Sequence, residues 1–164
     1  WFKQRYNTPV SAVGAIVFVT QIVTAASFLL AGPLARRIGL LNTMVSTHIP
    51  SNILLISVGL APTFETSVAF LLLRQTLSQM DVPTRQSYTL AVVEPDERSA
   101  AAGVTGIART VGSALAPLAA APLYASAALA SGPFFVAGGL KILYDRALWR
   151  AFRSVRPPEE QRPG

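Results

Sequence analysis

The sequence has no cysteine and a single histidine in 164 residues. The first absence removes any disulfide framework or thiolate metal site and leaves the redox compartment unassigned. The second narrows metal chemistry further, so neither a metal nor a cofactor is expected. Charge is scarce as well: 13% of residues are charged, against about 25% in a typical soluble domain. Acids are the scarcer sign, 8 against 14 bases, for a net charge of +6. A basic balance suits nucleic acid where bases cluster on a polar face with aromatics between them. Here they are scattered among hydrophobic runs, and no nucleic-acid partner is expected. Enzyme signatures are missing too: there is no Cys/His pair, no glycine-rich phosphate loop after a strand, no G-x-S-x-G and no carboxylate pair with a clear site. The opening WFKQRYNTP has neither an initiator methionine nor a leader pattern, and it reads as the start of a piece of a longer protein.

What is abundant is apolar sequence, 51% of the chain. Five segments are long and apolar enough to cross a hydrocarbon core of about 30 Å: residues 10–32, 40–62, 68–93, 100–124 and 133–149. Short connections such as LARRIG, APTFETS and EPDERS suit turns between antiparallel helices. The expected organisation is an outer loop over 1–9, an all-α bundle of five transmembrane helices over 10–152, and a disordered cytoplasmic tail over 153–164, polar and proline-rich. With the N-terminus outside, Arg36, Arg37, Arg98, Arg146, Arg150, Arg153, Arg156 and Arg162 lie inside, and only Lys3 and Arg5 outside. That asymmetry follows the positive-inside rule and puts the C-terminus in the cytoplasm.

Ionisable residues within a span are costly and normally face a cavity or a partner. In the third segment, helical periodicity puts Arg74, Ser78, Asp81, Arg85 and Tyr88 on one stripe with Gln75, Gln79 and Gln86 beside it. That stripe is expected to meet water or substrate. Pro83 opposes the carbonyl of Gln79 and predicts a bend beside Asp81. The plainer alternative is that Asp81 and Arg85, four residues apart, only pair with each other. Counting rise along each helix puts His48, Arg85, Arg109 and Lys141 roughly 12 to 14 Å from the inner ends. The expected layer has Asp81 bracketed by Arg85 and Arg109, open to an anionic group or to an acid on a helix outside this sequence. Lys141 and Asp145 are expected to satisfy each other near the inner surface. His48, among Ser46, Thr47 and Asn52, reads as a hydrogen-bonded packing residue. In the fourth segment the spacing of Gly112, Ala116 and Ala120 lays small side chains along one face, which predicts close packing in the interior.

These residues carry a resemblance. GPLARRIG, residues 32–39, resembles the inner-loop signature G-x-L-a-D-R-x-G-R of the major facilitator superfamily. Gly32, Leu34, Arg37 and Gly39 match, Arg36 replaces the family's acid, and Leu40 stands where its final base would be. LLLRQTLSQMDVP followed by EPDERSAAAG is similar to the family's arginine-bearing cavity helix and the loop after it, with Arg74 at the arginine position. GSALAPLAAAPL resembles its small-residue G-x-x-x-G-P motif, with Ala116 in place of the second glycine. The resemblance implies helices eight to twelve of a twelve-helix transporter of the plasma membrane that moves a small solute by alternating access, coupled to protons, with efflux as the direction to test first. It also implies a gating loop at Gly32, Arg36, Arg37 and Gly39, a substrate or proton site at Arg74, Gln75, Gln79, Asp81, Arg85 and Arg109, and N-terminal helices of the same chain as partners within the bilayer. A non-transporting assembly partner or degenerate half-transporter is the alternative.

Overall fold

A computed structural model describes residues 1–126 and 129–155. The expected disordered tail lies outside the described residues from 156 onward. The described residues form seven helices and no strand: α1 (Phe2–Tyr6), α2 (Val10–Ile38), α3 (Leu40–Leu60), α4 (Phe64–Ser78), α5 (Asp81–Ala91), α6 (Arg98–Ala125) and α7 (Gly132–Phe152). α2, α3 and α6 are long and apolar enough to cross a membrane.

Polarity is distributed as a bilayer requires. Buried side chains are largely polar, among them Thr43, Thr47, Ser51, Asn52, Ser67, Asp81 and Asp145, while Phe18, Leu29, Leu118 and Leu140 are exposed. Water would oppose that arrangement; hydrocarbon favours it, because apolar surface is at no disadvantage there and polar groups must be satisfied internally. α3 shows how. Thr43 and Thr47 donate at 2.7 Å to the carbonyls of Gly39 and Thr43 one turn back, so their hydroxyls are bonded before any other helix is involved.

The turn between α2 and α3 is a single residue. α2 runs on through Pro33, Arg36 and Arg37, and Gly39 reverses the chain at φ 86°, ψ 159°, a region open essentially to glycine. The segment expected to be an inner loop is therefore the last two turns of a helix. Arg36 and Arg37 are exposed in its final turn, where cations complement the carbonyl end of the helix dipole.

The third expected span is two helices, because α4 ends at Ser78 and α5 starts at Asp81. Pro83 lacks an N–H and its ring crowds the carbonyl of Gln79, so the ladder breaks at Gln79 and Met80, one turn before the proline. At its other end α4 is closed by a capping box, with Thr66 N donating to Thr63 Oγ1 and Thr63 N to Thr66 Oγ1, each at 3.3 Å.

α3 packs most closely against α4 and α7. Its crossing with α7 is set by glycine: a Cβ on Gly138 would lie 2.6 Å from Ile56 Cγ1 and 3.0 Å from the Asn52 carbonyl oxygen. Two turns further along α7, that approach brings Asp145 against α3. α6 behaves otherwise. None of its residues is buried, and a Cβ on Gly103, Gly106 or Gly112 would meet nothing within 4 Å. The small-residue helix expected in the interior is on the outside of this chain, since no described helix opposes its small face.

The expected outer loop is ordered. Trp1, Phe2 and Tyr6 of the one-turn α1 form edge-on aromatic contacts with Phe134 and Phe64. Tyr6 Oη donates to the Ala61 carbonyl at 2.8 Å, and Trp1 Nε1 to Ser131 Oγ at 3.3 Å.

Candidate functional site

The charges of the broken helix are held from both sides of the break. On α5, Asp81 occupies the first turn, where a carboxylate is favoured by the N-terminal dipole. Arg85, one turn on, grips it with Nη2 at 2.8 Å from Oδ1 and Nε at 3.1 Å from Oδ2. The pair expected as the plainer alternative is thus formed. Arg85 reaches further, however: Nη1 donates to Tyr144 Oη on α7 at 2.8 Å, and its guanidinium carbon lies 5.1 Å from the Tyr144 ring centre.

Behind Arg85 lies a second acid. Asp145, on α7, is 1% exposed. Its Oδ2 accepts from His48 Nδ1 on α3 at 2.7 Å and from Asn52 Nδ2 at 3.3 Å. Its Oδ1 is 3.8 Å from Arg85 Nη2, at the limit of an ion pair. His48 and Asn52 are one turn apart on the buried face of α3, so α3, α5 and α7 converge on one carboxylate. Burial of this kind is tolerated only when charge is paired and hydrogen-bonded.

This corrects one expectation. Asp145 is buried and makes no ion pair with Lys141. The α3–α7 approach sets it against His48 and Asn52, and Lys141 makes no ion pair among the described residues. His48 is buried and hydrogen-bonded as expected, to Asp145 at 2.7 Å and to Asn52 of its own helix at 3.4 Å. The bracketed layer is half realised: Arg85 pairs with Asp81, whereas Arg109 is exposed on α6 and makes no ion pair with it. Nor does the whole stripe face water. Ser78, Asp81 and Tyr88 are buried, with Tyr88 packed among Leu41 and Met44 of α3 and its Oη donating to the Val155 carbonyl at 3.1 Å.

On α4, Gln75 Nε2 donates to Thr24 Oγ1 of α2 at 2.7 Å, and Arg74 Nη1 to Gln75 Oε1 at 3.3 Å. Arg74 has no acidic partner among the described residues. Its Nε and Ser78 Oγ, one turn on, are both buried without a hydrogen bond. Gln79 is half-buried in the break itself. Between α3 and α7 there is also an open groove of ≈ 450 Å³ lined by Asn42, Val45, Ser46, Ile49, Pro50 and Trp149. It is lined by no charged group and stands apart from the polar cluster. Among the described residues no group of three or more His, Cys, Asp or Glu side chains is placed to hold a metal.

The sequence pointed to Asp81, Arg85 and Arg74 but missed the pairing of His48 with Asp145, 97 residues apart. The available signal was Gly138, seven residues before Asp145, since a glycine in an apolar helix marks a close crossing that brings the next turns into contact.

Long apolar helices, lipid-suited surfaces and a buried ionic cluster define an all-helical membrane protein. The profile of the Major Facilitator Superfamily matches residues 1–164, and the chain belongs to that family, which consists generally of membrane transporters. It is also similar to an uncharacterized membrane protein of Saccharomyces cerevisiae, 30% identical over 119 residues. Those residues are 72% of this chain and 27% of the yeast protein, so the chain spans about a quarter of that relative's length. No solved structure matches the chain.

Proposed function

We propose that these residues form the C-terminal part of a secondary active transporter of the plasma membrane. Its five spans correspond to helices eight to twelve of twelve, its C-terminus is cytoplasmic, and it moves a small solute by alternating access with proton coupling. In this reading α4 and α5 together make one broken span, a form that transporters use where a helix lines a substrate cavity. The third and fifth spans are the ones whose charges depart most from a lipid-embedded helix, and both carry the polar cluster.

The observation that carries the reading is Arg74. A guanidinium within an apolar helix, without an acidic partner among the described residues and with its Nε and the neighbouring Ser78 Oγ left unbonded there, is a costly arrangement unless a ligand or a further helix completes it. Arg74, Gln75 and Gln79 are the groups assigned to substrate, with Asp81 held ready by Arg85. Arg109, on the exposed side of α6, is assigned to the same pathway through helices beyond these residues, and Gly32, Arg36, Arg37 and Gly39 to gating at the inner end of α2.

The test is counterflow in proteoliposomes made with the intact protein that carries these residues, using radiolabelled small carboxylates, amines and sugars, with efflux as the first direction examined. Exchange of one class, reduced at least tenfold by Arg74→Ala, is the expected result. Exchange unaffected by that change, or no exchange across the panel, rejects the reading; the second outcome favours a non-transporting assembly partner.

A further inference from the structure

We infer that the His48–Asp145 pair carries the coupled proton. The inference rests on the transport reading above but not on the residues assigned there to substrate. Its starting point is a charge count. Asp81 and Asp145 are two carboxylates sharing one guanidinium, Arg85, which is 2.8 Å from the first and 3.8 Å from the second. Among the described residues, the imidazole of His48 is the further group in direct contact with these acids that can take a positive charge. With His48 protonated the four groups sum to zero, and with it neutral they carry one negative charge, offset only at longer range by Lys141, which makes no ion pair with either acid among the described residues.

Other ionisable groups in reach are few. On α7, Lys141 lies within electrostatic range of Asp81, Asp145, Arg85 and Arg74, and Tyr144 accepts from Arg85. α4 contributes only Arg74, through Lys141. Arg36 and Arg37 on α2 and Arg109 on α6 are exposed and make no ion pair with the cluster. Imidazole is the common side chain whose charge changes between pH 5 and 8, and His48 is the only histidine in the sequence.

The two side chains differ in exposure. The Asp145 side chain is 1% exposed and that of His48 10%. Nδ1 is committed to Asp145, so Nε2, which bonds to no described residue, is the atom through which the proton enters and leaves. Water on one side of the membrane gives the proton to Nε2, and water on the other side takes it back. No other bond is made or broken.

Asn52 supplies the second observation. It is fully buried, and its Oδ1 has no partner. As placed, its Nδ2 donates to an ionised Asp145. Turned over, it would present Oδ1 to Asp145 Oδ2 and His48 Nδ1, the orientation that suits a proton on the carboxyl group. The amide therefore serves either distribution of the proton between His48 and Asp145. Coupling follows from the shared guanidinium. When the proton leaves His48, Arg85 becomes the only cation in direct contact with the two carboxylates among the described residues. Its pull toward Asp145 then acts on α5, directly after the break that separates it from Arg74.

The experiment separates proton coupling from substrate exchange. Intact protein is reconstituted, and accumulation driven by a pH gradient is measured beside counterflow at equal pH, with the same panel of carboxylates, amines and sugars. His48→Gln is expected to abolish gradient-driven accumulation and the matching pH change of a trapped dye, while counterflow stays within about twofold of the parent. Should His48→Gln fail to fold, the neutral pair H48Q/D145N, which can hydrogen-bond without charge, takes its place. Gradient-driven accumulation at the parent level in either variant overturns the inference, as does loss of both activities in a folded variant, which marks a purely structural pair. If the parent itself exchanges nothing, the transport reading fails and this inference with it. Parent exchange without any response to the gradient rejects proton coupling alone.

Discussion

His48 Nδ1 and Asp145 Oδ2 lie 2.7 Å apart across the α3–α7 crossing, and this contact joins the two ends of the chain's polar core. It has a stability consequence that is separable from any transport role. Removing the acid leaves Arg85 and His48 facing an empty site, and removing one partner of a buried pair costs about 3 to 5 kcal/mol. Asp145→Ala is expected to lose an amount in that range in unfolding titrations in detergent micelles. Asp145→Asn, which can still accept from His48, should lose clearly less; equal losses would show that the hydrogen bond contributes nothing.

Gly138 makes the crossing possible. Gly138→Val pushes side-chain atoms into Ile56 and the Asn52 carbonyl and is expected to cost about 1 to 3 kcal/mol through overpacking. Gly139→Ala, with nothing within 4 Å of its Cβ, is the control and should be neutral or gain up to about 1 kcal/mol from helix propensity. Thermal unfolding of the two variants side by side decides whether α7 needs that close approach.

Gly39 reverses the chain between α2 and α3 at φ 86°. Gly39→Ala is expected to cost about 1 to 3 kcal/mol of backbone strain. The same substitution at Gly14, inside α2 and with open space around its Cβ, should not destabilise. A Gly39→Ala protein with an unchanged melting temperature would mean that the turn relaxes to another conformation.

Tyr144 offers Arg85 both an oxygen and a ring. Tyr144→Phe keeps the ring at 5.1 Å and removes the acceptor, so the expected loss is at most about 1 kcal/mol. A double-mutant cycle with Arg85→Lys measures their coupling, and additivity of the two changes would remove Tyr144 from the network.

Much of the fold was legible because it follows from local periodicity. The apolar runs marked α2, α3 and α6, and Pro83 marked a break in the third segment, since a missing N–H and a ring clash act within one turn. The pair Asp81–Arg85 was equally local, four residues apart on one helix. What could not be read was which faces meet. The small face of α6 suggested an interior helix, yet among the described residues nothing opposes it. Asp145 was expected to pair with Lys141 near the inner surface, yet the glycine crossing buries it against α3.

The sequence by itself determined that these residues suit a bilayer, that most of them are helical, and that charges sit within an apolar run. Hydropathy, proline and glycine act on the backbone nearby, so no knowledge of distant residues is needed. Only the tertiary structure decided that His48 serves Asp145, that Arg85 is shared between two carboxylates and that Arg74 has no acid beside it among the described residues. Those relationships join residues on different helices. Their distances depend on how closely α3 and α7 approach, which is set by side-chain volume at a crossing point and not by any local pattern.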